Sequence, residues 1–193
     1  MVAFLTSNTS ESNMKQGILA SCLIVLLMVD FALAQKNLIT NGGFEDELYG
    51  WNGDGAKTIP WYFKGGKASC AIVTTNTANW VGIDQTIKIP KKVQALEFSA
   101  WIKTINVVKG KNDWDGAVFT IVFLDGQDKE MGEGVNIARV TGDQEWMLAK
   151  KAIKLPEKAF SFKILLAMGN ASGTMIIDDV SAKALTPEEA AKL

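Results

Sequence analysis

Apolar and polar residues alternate over most of the chain from residue 57 onward, and this two-residue period is typical of β-strands. Short runs rich in valine, isoleucine, threonine and aromatic residues are separated by clusters of Gly, Asn, Asp and Pro, at the spacing of about 8–12 residues expected of β-sandwiches. The pattern predicts nine strands, near residues 57–63, 67–75, 80–89, 94–104, 117–125, 135–140, 146–154, 160–168 and 173–183.

The alternation also sorts side chains onto two faces, and it places two tryptophans on polar faces. Trp80 begins a strand whose opposite face is apolar, and Trp101 lies between Glu97 and Lys103 on the polar face of the next strand. Large aromatic side chains on an outward face commonly mark a contact surface. The apolar faces of the two strands carry Val81, Ile83, Ile87 and Ile89, and Leu96, Phe98, Ala100 and Ile102.

Two further strands and one short helix complete the prediction. The strands at 117–125 and 160–168 are apolar on both faces over part of their length, which favours central positions in a sheet. Residues 186–193 form a short C-terminal tail in which Thr186 caps a helical turn opened by Pro187.

The first 34 residues have the pattern of a secretory signal peptide rather than of a folded element. Lys15 precedes a 12-residue apolar run from Ile18 to Val29, and Ala32–Ala34 forms a cleavage site. Residues 1–13 are polar and consistent with an upstream start codon. We therefore expect a secreted or periplasmic protein whose single domain spans residues 35–185, the alternative being a retained membrane anchor.

Charge and composition exclude several functional classes. Removal of residues 1–34 leaves 19 basic and 19 acidic residues, and Arg139 is the chain's one arginine, so nothing indicates nucleic-acid binding. Cys70 is then the one cysteine left, and we expect it to be a small buried apolar residue. The chain has no histidine, no nucleophile elbow and no phosphate-binding loop. A glycosidase that uses two carboxylates among Glu97, Glu130 and Glu133 stays open as a minor alternative.

Four segments, taken in order, resemble a known family: NLITNGGFEDELYGW at residues 37–51, GGKASCAIVTT, IDQTIKIPKKVQALEFSAWIKT, and GTMIIDDVSAKAL near the C-terminus. Together they resemble the carbohydrate-binding modules attached to bacterial cellulases and xylanases, in the group of families four, nine, sixteen and twenty-two. The resemblance implies an all-β, jelly-roll β-sandwich of the galactose-binding type that binds glycans without cleaving them.

The resemblance also implies a structural calcium site where the two ends of the domain meet. It places Glu45 close to Asp178 and Asp179, with backbone oxygens near Gly43 and Lys67 as further donors. Ca²⁺ prefers six to eight oxygen ligands from flexible turns, and crowded carboxylates repel one another unless a cation neutralises them. The alternative is that these carboxylates cap turns or accept bonds from backbone amides.

Ligand binding is expected on an aromatic platform, because sugar rings stack on aromatic faces while polar side chains take the hydroxyl groups. The predicted binding residues are Trp80 and Trp101, with Glu97 and Lys103 flanking Trp101, and Trp61 and Trp114 at the rim. Tyr62, Asn79, Asn112, Asp113 and Asn136 are further candidates.

The sequence thus predicts a non-enzymatic protein that captures a polysaccharide or oligosaccharide beside glycoside hydrolases. One alternative is a calcium-stabilised adhesion or envelope-assembly module, in which the aromatic residues contact protein. A small glycan-active hydrolase is the second alternative. Burial of both Trp80 and Trp101 favours the assembly module, and a cleft with two close carboxylates beside an aromatic ring favours the hydrolase.

Overall fold

A computed structural model describes residues 36–193, so the predicted signal peptide lies outside the described residues. Two antiparallel sheets form a β-sandwich, as predicted. The five-stranded sheet has the order β1-β2-β9-β4-β7, and the four-stranded sheet has the order β3-β8-β5-β6. The strands are β1 (Ala56–Ile59), β2 (Ser69–Thr74), β3 (Trp80–Lys88), β4 (Ala95–Lys109), β5 (Gly116–Leu124), β6 (Val135–Val140), β7 (Gly142–Lys154), β8 (Ser161–Gly169) and β9 (Ala171–Ala184).

All nine predicted strands are present, and three of their boundaries lie more than two residues from the predicted ones. β1 ends at Ile59 because Pro60 has no N–H to donate and begins an exposed loop. β4 and β7 are longer than predicted because they pair with each other across bulges, with Thr104 opposite Gln144 and Val107 opposite Gly142. The two strands that are apolar on both faces, β5 and β8, are the central strands of the four-stranded sheet, as expected.

The core lies between the sheets and is built from the inward faces that alternation predicted. Phe98 of β4 packs edge-to-face against Phe162 at 5.1 Å and Phe123 at 6.5 Å between ring centroids. Burial of each such side chain contributes about 2 kcal/mol to folding. Cys70 is fully buried in the same core, and this burial raises the pKa of its thiol to about 12.

The segment from Asn37 to Trp51 runs beside β9 and closes one side of the core. The Leu38 amide donates to the Ala182 carbonyl at 2.8 Å, and the Val180 amide donates to the Gly42 carbonyl at 2.8 Å. A β-carbon on Gly42 would lie 2.1 Å from the Val180 carbonyl oxygen, so the glycine is required by close backbone approach. Neither Gly42 nor Gly43 has a positive φ angle; the positive φ angles of this segment are those of Asn41, Phe44, Glu47 and Gly50.

Trp51 anchors this segment to the core. Its ring stacks on Phe44 at 5.3 Å, and its indole N–H donates to the Asn41 carbonyl at 3.2 Å. The C-terminal helix α1 (Pro187–Ala190) is also confirmed, with Thr186 and Glu189 forming a capping box. Within residues 36–193, no helix is both long and apolar enough to cross a membrane.

Candidate functional site

The outer surface of the four-stranded sheet, which we call the Trp80 face, is built on alternate residues of β3. Ile83 and Gln85 point into the sandwich and are buried, so Trp80, Asp84 and Lys88 point outward. Trp80 pairs with Gly169 of β8, and Gly169 pairs with Gly116 of β5. Residues paired across the four strands form rows on this surface. The row next to Trp80 contains Gly82, Ala167, Val118 and Arg139. The row after it contains Asp84, Leu165, Thr120 and Asn136.

Trp80 lies over the sheet because its partner on β8 has no side chain. A β-carbon on Gly169 would come within 2.4 Å of the six-membered ring of Trp80. The indole is 52% exposed, so one surface contacts the sheet and the remainder is open to solvent. An exposed ring held against a rigid strand is the arrangement on which a sugar stacks.

An open depression of about 500 Å³ lies beside Trp80, and two carboxylates line it. Asp84 comes from β3, and Asp54 comes from the loop that precedes β1. That loop is held against β3 by a two-bond bridge in which Asn52 and Asp84 exchange backbone hydrogen bonds of 2.9 Å. The apolar side of the depression is formed by Val81 and Leu165. It therefore combines an aromatic wall, an apolar floor and hydrogen-bond acceptors.

Residues 110–115 form a loop at the same end of the sheet as Trp80, and this loop carries Trp114. The Gly110 amide donates to the Asn170 carbonyl at 2.9 Å, and the Asn170 amide donates to the Asn79 carbonyl at 3.0 Å. Trp114 is 61% exposed two residues before Gly116, which lies in the same row as Trp80.

The buried carboxylate of Asp115 holds the loop together. It accepts a backbone bond from Asn112 at 2.9 Å and a side-chain bond from Asn170 at 3.3 Å. These hydrogen bonds, the one from the Asn112 backbone first, hold the pKa of Asp115 below its ordinary value. Arg139 of β6 braces the loop from the other side, donating to the Asp113 carbonyl at 3.2 Å.

The outer surface of the five-stranded sheet, the Trp101 face, carries the other predicted aromatic residue. Trp101 pairs with Asp178 of β9 on one side and with Leu148 of β7 on the other. Lys64 places its ammonium 4.2 Å from the centroid of the Trp101 ring, a cation–π contact made by a residue of the loop at 60–68. Trp101 is therefore partly buried beneath this loop.

The polar neighbours of Trp101 are engaged in contacts within the protein. Lys103 is only 9% exposed and pairs with Glu145 at 2.7 Å. Glu97 pairs with Lys150 at 2.9 Å. Trp61 is 66% exposed in the loop at 60–68, beside the half-exposed Tyr62. Exposed aromatic area on this face thus belongs to the loop rather than to the strand.

The expectation of one platform shared by Trp80 and Trp101 is wrong. Their strands are consecutive in the chain, but β3 belongs to the four-stranded sheet and β4 to the five-stranded sheet. Their outward faces are the two opposite outer surfaces of the sandwich. Trp80 and Trp114 lie with one surface, while Trp101, Glu97, Lys103 and Trp61 lie with the other.

Three residues of the Trp80 face were missed by the sequence prediction. Asp84 shares an outward face with Trp80, so alternation alone contained the signal for it. Gly169 and Asp54 carried no such signal, because their placement depends on strand pairing and on the bridge between Asn52 and Asp84.

The predicted meeting of the two chain ends is confirmed. The side chains of all three acids surround Gly43. A β-carbon built on Gly43 would lie 3.8 Å from Asp179 Oδ1, 3.8 Å from Glu45 Cγ and 4.0 Å from Asp178 Oδ1. Glu45 Oε1 accepts the backbone amides of Lys67 at 2.8 Å and Ala68 at 3.2 Å. Lys67 thus contributes an amide N–H to this contact.

Asp178 is the buried member of this carboxylate cluster. Its Oδ2 accepts the amides of Lys64 at 2.6 Å and Gly65 at 3.0 Å, and its Oδ1 accepts the Asp179 amide at 2.7 Å. Burial raises the pKa of Asp178, an effect that these hydrogen bonds partly oppose. The three salt bridges among residues 36–193 all involve other carboxylates. Within that range, no three acidic or cysteine side chains are arranged as a metal centre.

Comparison with known proteins supports the fold. No family model matches the chain, and no curated protein sequence matches it. Among solved structures, the CBM22-1 xylan-binding domain of Paenibacillus barcinonensis Xyn10C aligns with a TM-score of 0.55 and 18% identity, over 79% of this chain and 97% of that one. The CBM22-1 and GH10 modules of Clostridium thermocellum Xyn10B, complexed with xylohexaose, align with a TM-score of 0.55 and 16% identity, over 79% of this chain and 29% of that one.

A third similar structure is the enzymatically active domain of tailspike protein 4 from bacteriophage CBA120. It aligns with a TM-score of 0.58 and 18% identity over 77% of this chain, but this corresponds to only 21% of the tailspike chain. At these identities the likeness extends to the fold. The protein therefore has the β-sandwich fold found in carbohydrate-binding modules, as its sequence resemblance implied.

Proposed function

We propose that this protein binds a polysaccharide or oligosaccharide on the Trp80 face without cleaving it. The observation that carries the proposal is the exposed Trp80 ring, seated on Gly169 beside the depression lined by Asp54 and Asp84. A pyranose stacked on the ring would place its hydroxyl groups within reach of these carboxylates. Two solved structures of the same fold, described as a xylan-binding domain and as modules complexed with xylohexaose, support a β-linked glycan as the ligand class.

Affinity electrophoresis against xylan, β-1,4-galactan, β-glucan and mannan tests this proposal with a matched pair of variants. Trp80→Ala removes the exposed ring of the Trp80 face, and Trp61→Ala removes an even more exposed ring on the opposite surface. We expect Trp80→Ala to weaken binding by about 2 kcal/mol, or roughly 30-fold, because stacking area is lost. Trp61→Ala should change affinity less than about twofold. Equal effects of the two variants, or no retardation by any polysaccharide, would contradict the proposal.

A hydrolase is the second candidate, because Asp54 and Asp84 line one depression beside an aromatic ring. Two carboxylates that flank a sugar are the minimum equipment of a glycosidase. The candidate predicts release of reducing ends from the polysaccharide that binds, and abolition of that release by Asp84→Asn. Binding of the same polysaccharide without release of reducing ends by the wild-type protein would exclude the hydrolase and leave the binding function.

We also propose that a structural Ca²⁺ joins Glu45, Asp178 and Asp179. Oxygen donors alone suit Ca²⁺, and all three acids come from segments that must stay together for the sandwich to close. Because Glu45 and Asp179 are exposed, their side chains can turn toward a shared cation. A chelator should then lower the melting temperature by about 5 °C or more. Glu45→Gln should reduce the fall in melting temperature that the chelator causes. If the chelator leaves the melting temperature of the wild type unchanged, the calcium proposal is contradicted.

We also propose that residues 1–34 are a signal sequence that exports the protein. A secreted or periplasmic location would bring the protein together with polysaccharides and glycoside hydrolases. It rests on residues outside the described part of the chain. Amino-terminal sequencing of the protein recovered from the culture medium or periplasm tests it. We expect the mature chain to begin at Gln35, whereas recovery of the chain in the membrane fraction with residues 1–34 intact would indicate a retained anchor.

A further inference from the structure

Two turns at one end of the sandwich enclose a second hollow, separate from the depression at Trp80. The turn at 89–93 joins β3 to β4, and the turn at 155–159 joins β7 to β8. Between them lies an open hollow of about 740 Å³. We call it the lysine hollow, because five of the chain's nineteen lysines line it: Lys88, Lys91, Lys92, Lys154 and Lys158.

The two turns are built alike and are bonded to their surroundings as a unit. Each has the sequence Pro-X-Lys, IPKKV in one and LPEKA in the other, and each is closed by a backbone bond. That bond runs from Val93 to the Pro90 carbonyl at 3.4 Å, and from Ala159 to the Pro156 carbonyl at 3.1 Å. The Ile89 amide donates to the Phe160 carbonyl, and the Leu155 amide to the Gln94 carbonyl, both at 2.9 Å.

Corresponding lysines of the two turns adopt a left-handed backbone conformation, with φ of 68° at Lys92 and 71° at Lys158. Glycine or asparagine is the usual residue at such a position, because a β-carbon there is strained. The fold therefore carries strain at two sites that both present a charge to the hollow. Such a conformation persists where the surrounding structure fixes the backbone, as the hydrogen bonds of both turns do here.

The hollow concentrates positive charge in a chain whose predicted mature form is neutral. Glu157 is the one acidic residue in its lining. The three salt bridges formed by residues 36–193 use Lys103, Lys109 and Lys150, so none of the five lysines of the hollow takes part in them. Clustered like charges repel, and an anion placed among them is attracted by all at once.

The surroundings of the hollow favour a flexible anionic polymer over a membrane or a nucleic acid. Phe160 is the one aromatic residue of the lining, and the Lys88 ammonium lies 4.3 Å from the centroid of its ring, so the hollow offers a single ring that already has a cation on one face. Lysines act as point charges that tolerate varied anion geometry, unlike the guanidinium fork that fits phosphate. The concave shape admits a chain that lies between the turns.

Lys88 also connects the hollow to the Trp80 face. Trp80 and Lys88 are the first and last residues of β3 and point to the same side, roughly 26 Å apart along the strand. Lys163 of β8 pairs with Thr86 in the adjacent outward row. One extended polysaccharide lying along β3 would therefore meet the aromatic ring at one end and the lysines at the other.

From these observations we infer that the lysine hollow is a second subsite, which binds the carboxylate groups of an acidic polysaccharide. The choice of a glycan rests on the function proposed for the Trp80 face. The site itself is electrostatic and works without Trp80. The ligand class is a uronic-acid polymer, whose repeated carboxylates would pair with lysines that form no salt bridge among residues 36–193.

The test compares polygalacturonate with a neutral polysaccharide that the wild type retains, at low and at high salt. Lys92→Gly with Lys158→Gly removes two charges of the hollow and also relieves the left-handed strain, so the variant keeps its fold. Lys57→Gln with Lys129→Gln removes two exposed lysines elsewhere and serves as the matched control. Vesicles containing phosphatidylglycerol provide the lipid arm.

At low salt, we expect the glycine double variant to bind polygalacturonate about tenfold more weakly than the wild type, and the difference to shrink at high salt. Its affinity for the neutral polysaccharide should be unchanged, and the control should stay within about twofold of the wild type. Absence of polygalacturonate binding, an equal loss in the control, or lysine-dependent binding to vesicles alone would overturn the inference. Failure of the function proposed for the Trp80 face appears separately, as an unchanged affinity of Trp80→Ala for the neutral polysaccharide.

Discussion

The Trp80 face and the Trp101 face each carry a tryptophan at an outward strand position, but only the ring of Trp80 is broadly open to solvent. Trp101 lies beneath the loop at 60–68, with the Lys64 ammonium 4.2 Å from its ring centroid. Trp80 lies against Gly169 and keeps 52% of its area exposed. An outward position on a strand is therefore not enough to expose an aromatic ring, because a neighbouring loop can cover it.

The covering of Trp101 has its cause in the carboxylate cluster. Asp178, the cross-strand partner of Trp101, is buried and accepts the amides of Lys64 and Gly65. These bonds hold the loop down over the ring. Asp178, which we propose as a calcium ligand, thus also removes Trp101 from the freely exposed aromatic residues. The contacts at this end of the five-stranded sheet therefore hold a loop in place, whereas the Trp80 ring on the four-stranded sheet stays exposed.

The largest expected effect that separates the two faces is the loss of stability in Trp101→Ala. Truncation removes a large, partly buried ring that contacts Lys64 and lies opposite Leu148 on the neighbouring strand, so we expect a loss of about 3 kcal/mol in the free energy of unfolding. Trp80→Ala should cost less than about 1 kcal/mol, since half of its ring is already in water. Urea denaturation followed by circular dichroism measures both. Similar losses in the two variants would show that the faces do not differ in this way.

The rate at which Cys70 is alkylated gives a second measure of the difference in stability between Trp101→Ala and Trp80→Ala. Cys70 of β2 is buried in the core, and burial raises its pKa to about 12, so it should resist alkylation in the native protein. In a Cys22→Ser background, Trp101→Ala should speed labelling up to about a hundredfold, in proportion to its lost stability. Trp80→Ala should speed it less than about fivefold. Rapid labelling of the wild type would contradict the burial of Cys70.

Gly169→Ala tests whether the position of the Trp80 ring matters as much as its presence. The new β-carbon would stand 2.4 Å from the ring, so the indole must tilt away from the sheet. We expect glycan affinity to fall about tenfold, because a displaced ring loses stacking geometry. Gly126→Ala is the matched control, since a β-carbon there meets no atom within 4 Å. Unchanged affinity in Gly169→Ala would mean that the ring tolerates free rotation at the site.

Sequence predicted the fold well, because the features that determine it are local. Alternation identified every strand, and the apolar faces of β4 and β3 form the core between the sheets. The apolar segments at 117–125 and 160–168 were correctly interpreted as central strands, since such strands are covered on both sides. The meeting of Glu45 with Asp178 followed from a family resemblance that spans both ends of the domain.

The candidate site was predicted less well, because it depends on which strands pair. Sequence adjacency suggested that Trp80 and Trp101 act together, yet the chain crosses to the other sheet between β3 and β4. Alternation does not report on such a crossing. Nor does it show that Gly169 lies opposite Trp80, or that Asn52 brings Asp54 to the depression.

The smallest expected effect is a dependence of the Trp80 face on pH through Asp115. Hydrogen bonds, first from the Asn112 backbone, hold the pKa of Asp115 below its ordinary value, so the unfolded chain takes up a proton first as the solution is acidified. Stability gained from Asp115 is therefore complete above about pH 4 and is lost as the pH falls below it. Asp115→Asn should flatten the decline of the urea midpoint between pH 5 and pH 3.

A matched control separates this loop from acid sensitivity in general. Asp125 also has a lowered pKa, because it accepts the amides of Gln127 and Lys129, but it lies in the turn between β5 and β6. Asp125→Asn should flatten the same decline without affecting glycan binding. Asp115→Asn should in addition make glycan affinity less sensitive to acid, because the loop that carries Trp114 is held by Asp115. Equal glycan affinities of the two variants at pH 3.5 would show that this loop lies outside the binding surface.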